Sequence, residues 1–251
     1  MLESEQRAAM IVDLVERYKG GADSDQIKRE AKAVFAFVRP ETVALAEERL
    51  ARHNLDPADL HQLHRLHLDN LRHELLQLQA AIEPWHPVRT MIEEHEQILA
   101  TLERLEALNA RVQAAAALDP AARQELADIA ANLLAAEYHH RREEEVVFPE
   151  LTKRGIGATV EAMEAEHEEL RERKHALKAL AARGADGGFE AFRRELGELA
   201  AYIVYNLGDH IYKENHIMFP AAVRLVREEG LWPRLKERCD EIGYCNFRKL
   251  H

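Results

Sequence analysis

Four long stretches of this chain repeat apolar residues at alternating spacings of three and four, the period of an amphipathic helix. They cover about 87–116, 120–153, 158–183 and 188–229. The breaks between them are Leu118-Asp119-Pro120, Gly155-Ile156-Gly157 and Gly184-Ala185-Asp186-Gly187-Gly188, all short and rich in helix terminators. Helices joined by so few residues pack antiparallel, so the pattern predicts an all-α, up-down four-helix bundle. No sustained period-2 alternation competes with it.

Earlier in the chain, Asp23-Ser24, Pro40 and Asp56-Pro57 are helix-start signals, and residues 1–82 read as a small helical N-terminal domain. The segment Glu83-Pro84-Trp85-His86-Pro87, with two prolines, marks the domain boundary. The bundle then occupies 83–229, and Gly230 opens a C-terminal tail, 230–251.

The bundle stripes contain residues that do not belong in an aliphatic core. The first reads Met91, His95, Ile98, Leu102, Leu105. The second reads Leu126, Ile129, Leu133, Ala136, His139, Glu143, Val147. The third is Val160, Met163, His167, Leu170, Leu177, and the fourth is Phe192, Leu196, Leu199, Ile203, Leu207, His210, Glu214, Ile217. An unpaired buried carboxylate costs several kcal/mol. The stripes offer no arginine, and no lysine before Lys174, to pair with Glu143 and Glu214. A bound cation is the economical partner.

The heights agree with convergence. His95 lies 23 positions before the first break at residue 118 and His139 lies 21 after it, while His167 and His210 stand 19 and 24 positions from Asp186. At ~1.5 Å per residue, antiparallel helices bring such residues to nearly one level. The pattern also repeats internally: His139-x3-Glu143-x4-Phe148-Pro149 and His210-x3-Glu214-x4-Phe219-Pro220. Each half supplies one histidine from its first helix and a His/Glu pair from its second. Two such halves make two equivalent metal positions, with both carboxylates placed to bridge. Imidazole with carboxylate suits iron, manganese or zinc rather than calcium or copper(I).

Composition narrows the class. With 34 Lys and Arg against 45 Asp and Glu, the net charge is −11, which argues against a nucleic-acid or anionic-membrane binder. Cys239 and Cys245 alone form neither a disulfide framework nor a zinc ribbon. Residues 1–20 have no apolar signal core, and no apolar run reaches membrane-spanning length. The expectation is a cytoplasmic protein.

The segments Ile92-Glu93-Glu94-His95, His139 to Pro149, Met163-Glu164-Ala165-Glu166-His167 and Asp209-His210 to Pro220 together resemble the hemerythrin-like HHE cation-binding family. The resemblance spans about 86–222. It implies a four-helix bundle around a non-haem di-iron centre that binds dioxygen or nitric oxide, or serves iron and redox-stress handling. Carried over by position, the ligands of two iron ions are His95, His139, Glu143, His167, His210 and Glu214; zinc and manganese stand behind iron. Oxygen-carrying hemerythrins have a second histidine where this chain has Arg171, and a His-x4-Asp where it has His210-x3-Glu214. The set is closer to the bacterial iron-centre-repair proteins, without their Cys-Cys-Gly motif. Val38-Arg39-Pro40-Glu41-Thr42, the Asp59 to His67 stretch and Glu241-Ile242-Gly243-Tyr244-Cys245 are similar to an uncharacterised domain found before HHE domains.

Other residues are candidates of lower rank. His86 reads as a helix cap and as the substitute ligand should His95 not serve. Tyr138, Tyr202, Tyr205 and Arg171 are candidates for contacts just outside the ligands. His140 and His216, off the stripe, read as surface or supporting groups, and of Glu143-Glu144-Glu145 only Glu143 points inward. His61, His64 and His67 form a possible second metal or haem site, although steps of three drift across a helix face. The function expected is binding of O2 or NO by a sensor, scavenger or redox-stress protein, with a protein partner or homo-oligomer. The alternatives are a di-iron enzyme that reduces peroxide or NO or donates iron to damaged clusters, and a structural metal-binding protein.

Overall fold

The computed structural model describes residues 2–21, 26–27, 30–31, 34, 46, 49–50 and 75–247. The chain divides into two compact units, Met1–Ala80 and Ala81–His251. In the first, α1 (Leu2–Lys19) buries Ala8, Ile11, Leu14 and Val15, one helical face, among Ile27, Ala31, Val34, Ala46 and Leu50. The Arg17 guanidinium grips Glu30 through two bonds of 2.5 and 2.9 Å.

The second unit is an up-down bundle of four helices. The first is α2 (Pro87–Ala114), capped by His86, which accepts the Val88 N–H at 3.2 Å. Pro87 and Pro120 stand in first turns, where a missing N–H loses nothing. The second helix starts as α3 (Pro120–Ala135), with Asp119 accepting the Ala121 N–H. It continues through α4 (Glu137–Arg142), a π-helical turn π1 (Glu143–Val147) and α5 (Phe148–Thr152). The third is α6 (Gly157–Arg183). The fourth comprises α7 (Phe189–Lys213), a π turn π2 (Glu214–Met218) and α8 (Phe219–Leu225). Each of α2 and α6 packs against both α3 and α7, which closes the ring of four. Leucines and isoleucines from Ile98 to Ile211 fill the half toward the 115–119 and 184–188 connections.

Both π turns have one cause. The Phe148 N–H reaches the Glu143 carbonyl and the Phe219 N–H the Glu214 carbonyl, five residues back instead of four. Pro149 and Pro220 come next in the chain. A proline has no N–H for the helix ladder, and its ring collides with the carbonyl four residues before it; a wider turn relieves the clash. The extra residue also rotates the remainder of the helix. Ile217, expected on the core stripe, is 41% exposed, and Met218 at 0% takes its place. The fourth helix stops at Leu225, short of the expected 229, where Arg154 donates to the Leu225 carbonyl at 3.1 Å.

The chain then forms α9 (Leu231–Ile242), which packs on α2, α4 and π1. Gly243, at φ 94°, turns it into a strap that ends on the bundle. Among the described residues no helix is long and apolar enough to cross a membrane.

Gly184 closes α6 at φ 61° and ψ −146°, a region open almost only to glycine. A Cβ there would lie 2.9 Å from Arg123 Nε, which donates to the Ala181 carbonyl. Gly184→Ala is therefore expected to lower stability by ~1–3 kcal/mol in urea unfolding. Gly187→Ala, with nothing within 4 Å of its Cβ, should leave the midpoint almost unmoved.

Candidate metal centre

The six stripe residues His95, His139, Glu143, His167, His210 and Glu214 meet inside the bundle, all buried. His95, His139, Glu143 and Glu214 form one group whose donor atoms lie within 4.8 Å of one another; Glu143, His167, His210 and Glu214 form a second. Both carboxylates belong to both groups. His139 Nε2 is 3.1 Å from Glu143 Oε1, and His95 Nε2 is 3.1 Å from Glu214 Oε2. His210 Nε2 lies 3.0 Å from Glu214 Oε1, and the Nε2 atoms of His167 and His210 are 2.7 Å apart. Two imidazole nitrogens at that distance, beside two carboxylates, describe donors converging on common points.

A second circle of side chains holds the other ring nitrogens. His139 Nδ1 faces Glu94 at 2.9 Å, His167 Nδ1 faces Glu144 at 2.6 Å, and His210 Nδ1 faces Glu166 at 2.8 Å. His95 Nδ1 faces the Asn215 side-chain oxygen at 2.8 Å. Such partners fix the tautomer and leave Nε2 free to donate its lone pair to a metal. Each partner adjoins a stripe residue in sequence but serves a histidine on the next helix, so the four contacts run once around the bundle. Three are backed by cations: Glu94 by the fully buried Arg142, Glu144 by Arg171 at 2.7 Å and Glu166 by Lys213 at 2.5 Å. Phe219 stacks on His95 at 5.4 Å and Phe148 on His167 at 5.9 Å. The Phe-Pro pairs thus shape the π turns and brace the rings.

The unsatisfied atoms fit a bound cation. Buried side-chain atoms without a hydrogen-bond partner include His95 Nε2, Glu143 Oε2 and both Glu214 oxygens. Buried polar atoms are normally satisfied, and these four all sit where a cation would be bound. Burial and the neighbouring Glu214 charge push Glu143 well above the usual carboxylate range. Burial also acts against Glu214, but His210, His167 and His95 outweigh it and hold that carboxyl well below its ordinary value. Burial works on His210 too, yet Glu214 and Glu166 raise it to about 9.

Several expectations need correction. His140 is not a surface residue: it is buried, stacked on His167. Glu144 is not a purely solvated member of its run, because it holds His167. An arginine does reach the interior: Arg142 bonds Glu94, the Tyr138 carbonyl and, at 3.9 Å, Cys245 Sγ. Arg171 lies outside the histidines, bonded to Glu137, Glu144 and Glu168, and acts on His167 only through Glu144. Tyr138 is 44% exposed, and Tyr202 donates to Glu169 at 2.5 Å on the bundle's outer side, so neither touches the histidines. Tyr205 is half-buried on α7. His86 belongs to none of the metal-capable groups; it caps α2 and packs on Trp232 with ring centres 4.1 Å apart. His61, His64 and His67 lie outside the described residues.

The strap reaches this centre. The Cys245 N–H donates to Glu94 Oε1 at 3.1 Å, and the Tyr244 ring covers the Arg142 guanidinium at 4.7 Å. Burial and the Glu94 carboxylate push the Cys245 thiol up to about 12, so it stays protonated.

A family model described as the hemerythrin HHE cation-binding domain matches residues 86–222, more than half of the chain. No curated protein matches the chain.

Lys174, two turns beyond His167 on α6, is 1% exposed and its Nζ has no hydrogen-bond partner. Burial lowers its pKa to about 8. The unfolded chain then binds the proton more tightly than the folded one, so this residue destabilises at neutral pH, and the penalty fades as pH rises from about 8 toward 10.5. Lys174→Met is expected to raise stability by about 2–4 kcal/mol at pH 7. Denaturation across that window should show the advantage shrinking with rising pH; a variant no more stable at pH 7 would contradict the assignment.

Proposed function

The chain belongs to the hemerythrin HHE cation-binding domain family, and from that membership we propose that it is a dinuclear non-haem iron protein that binds O2 or NO, as a sensor, scavenger or redox-stress protein. Metal-ion binding follows from the family and from the His/Glu clusters. The single observation that carries the dinuclear reading is that Glu143 and Glu214 are shared by both donor groups. His95 and His139 would hold one ion, His167 and His210 the other, and both carboxylates would be within reach of either.

Iron bound there supplies reversible electron donation to a diatomic ligand. The chain's own residues prepare the place. Nδ1 partners on the four histidines turn each ring so that Nε2 faces the clustered donors. Aliphatic side chains over the histidine layer, among them Ile98, Leu170, Leu207 and Ile211, exclude water and suit an apolar diatomic molecule. Iron over zinc or manganese rests on the family, since affinity alone would not select it.

Two outcomes are expected. Glu143→Ala and Glu214→Ala each remove a shared donor, and elemental analysis should find one or both metals lost; full occupancy in both variants would refute the shared-carboxylate reading. Iron-loaded protein prepared without oxygen should change its visible absorption on adding O2 or NO. Tightly bound zinc with no iron, after both aerobic and anaerobic purification, points to the structural role instead, and turnover of peroxide or NO points to the enzyme.

A further inference from the structure

Lys174 Nζ and His140 Nδ1 are buried nitrogens that have no hydrogen-bond partner, and neither residue belongs to the two groups built on Glu143 and Glu214. Both residues are 1% exposed. Lys174 stands on the α6 stripe between Leu170 and Leu177, two members of the aliphatic core. It lies seven residues beyond His167, ~10 Å along the helix. Helical side chains lean toward the N-terminus, so its ammonium comes back toward the histidine layer.

His140 approaches the same place from α4. Its ring stacks on His167 with centres 4.1 Å apart. Of the charges that act on it, that of Lys174 is the strongest, ahead of His167 itself. One turn earlier, the buried Ala136 puts a methyl group where most of its stripe carries leucine or isoleucine.

A buried ammonium without an acceptor is costly, and the cost is kept only where something compensates it. Glu137 and Glu214 are the carboxylates that attract it most. Glu137 is already bonded to Arg171 at 2.9 Å, and its Oε2 stands 3.8 Å from His140 Nδ1. Glu214 belongs to both metal-capable groups built on the carboxylates, and a cation bound there takes up its charge. Metal loading therefore leaves a positive place in an apolar interior, with nitrogen donors from two helices and no acceptor between them. An anion with two acceptor ends satisfies both, and the surrounding core suits only a small one.

We propose that Lys174 and His140 together bind a small monovalent oxyanion, of the size of nitrite, when the metal layer is loaded. One oxygen accepts from Lys174 Nζ and the other from the His140 Nδ1–H. The pair gives the interior a preference for charged over neutral small ligands that the six His and Glu donors do not supply. The proposal rests on cation binding by Glu143 and Glu214.

The test uses the full chain loaded with zinc, which is redox-silent, and follows nitrite binding by calorimetry at pH 7, with zinc content measured by elemental analysis. The zinc-loaded chain should bind nitrite at least ~10-fold more tightly than the metal-free chain. Lys174→Met removes the charged donor and should weaken nitrite binding by at least ~10-fold with zinc content unchanged. That variant is expected to be the more stable protein at this pH, so lost binding is not lost fold. His140→Phe keeps a ring against His167 without a donor and should weaken binding by ~3–10-fold. Lys178→Met, on the exposed side of the same helix, is the control for loss of any lysine and should bind as the unaltered chain does. Zinc bound with nitrite affinity unchanged in Lys174→Met, or zinc bound with no nitrite taken up by the unaltered chain, overturns this proposal alone. No zinc bound by the unaltered chain overturns the reading of the metal centre, and this proposal with it.

Discussion

Two carboxylates, Glu143 and Glu214, are buried at the centre of a helical bundle, and three of their four oxygens make no hydrogen bond within the protein. Everything else about the second unit is arranged around that constraint. Negative charge cannot stay in an apolar interior without compensation, because the desolvation of an ion exceeds what most contacts return. Four imidazoles at the same level are weak compensation when neutral and self-repelling when charged. A bound cation would resolve the conflict, and His and Glu donors that could hold one stand in overlapping groups.

Charge alternates outward from that layer. Histidines meet Glu94, Glu144, Glu166 and Asn215, and the three carboxylates meet Arg142, Arg171 and Lys213. Of the four, only His95 has a neutral amide behind it, and of the three cations only Arg142 is wholly buried. The two halves of the repeat are therefore alike in their inner donors and different in their support. The strap sharpens that difference, since the Cys245 N–H lands on the carboxylate that orients His139.

Much of this was legible in the sequence. The period of three and four located the helices, and counting from the breaks brought His95 to the level of His139 and His167 to that of His210. Those inferences work because a helix has a fixed rise and a fixed rotation per residue. They fail where the helix departs from that regularity. The π turns move one residue out of phase, so Ile217 exchanged places with Met218. The interruption at Ala136 and the restart as α4 let His139 and His140 both turn inward, which a regular stripe does not foresee. The supporting acids escaped notice because Glu94, Glu144 and Glu166 lie one position off the stripe, where an acid normally faces water. A signal was present all the same: the doublet Glu-His occurs at 94–95 and again at 166–167, and Glu143-Glu144 is matched by Glu214-Asn215.

His95 and Glu214 are 119 positions apart in the chain and 3.1 Å apart in space. Neither donor group can be completed from one half of the repeat, because each needs both Glu143 and Glu214. During synthesis the layer stays unfinished until the fourth helix has emerged, and closing so long a loop is among the slowest steps available to a helical bundle. A cation that binds only the closed arrangement stabilises it by mass action. The donor layer thus distinguishes chains whose fourth helix has docked from those that have merely formed their helices.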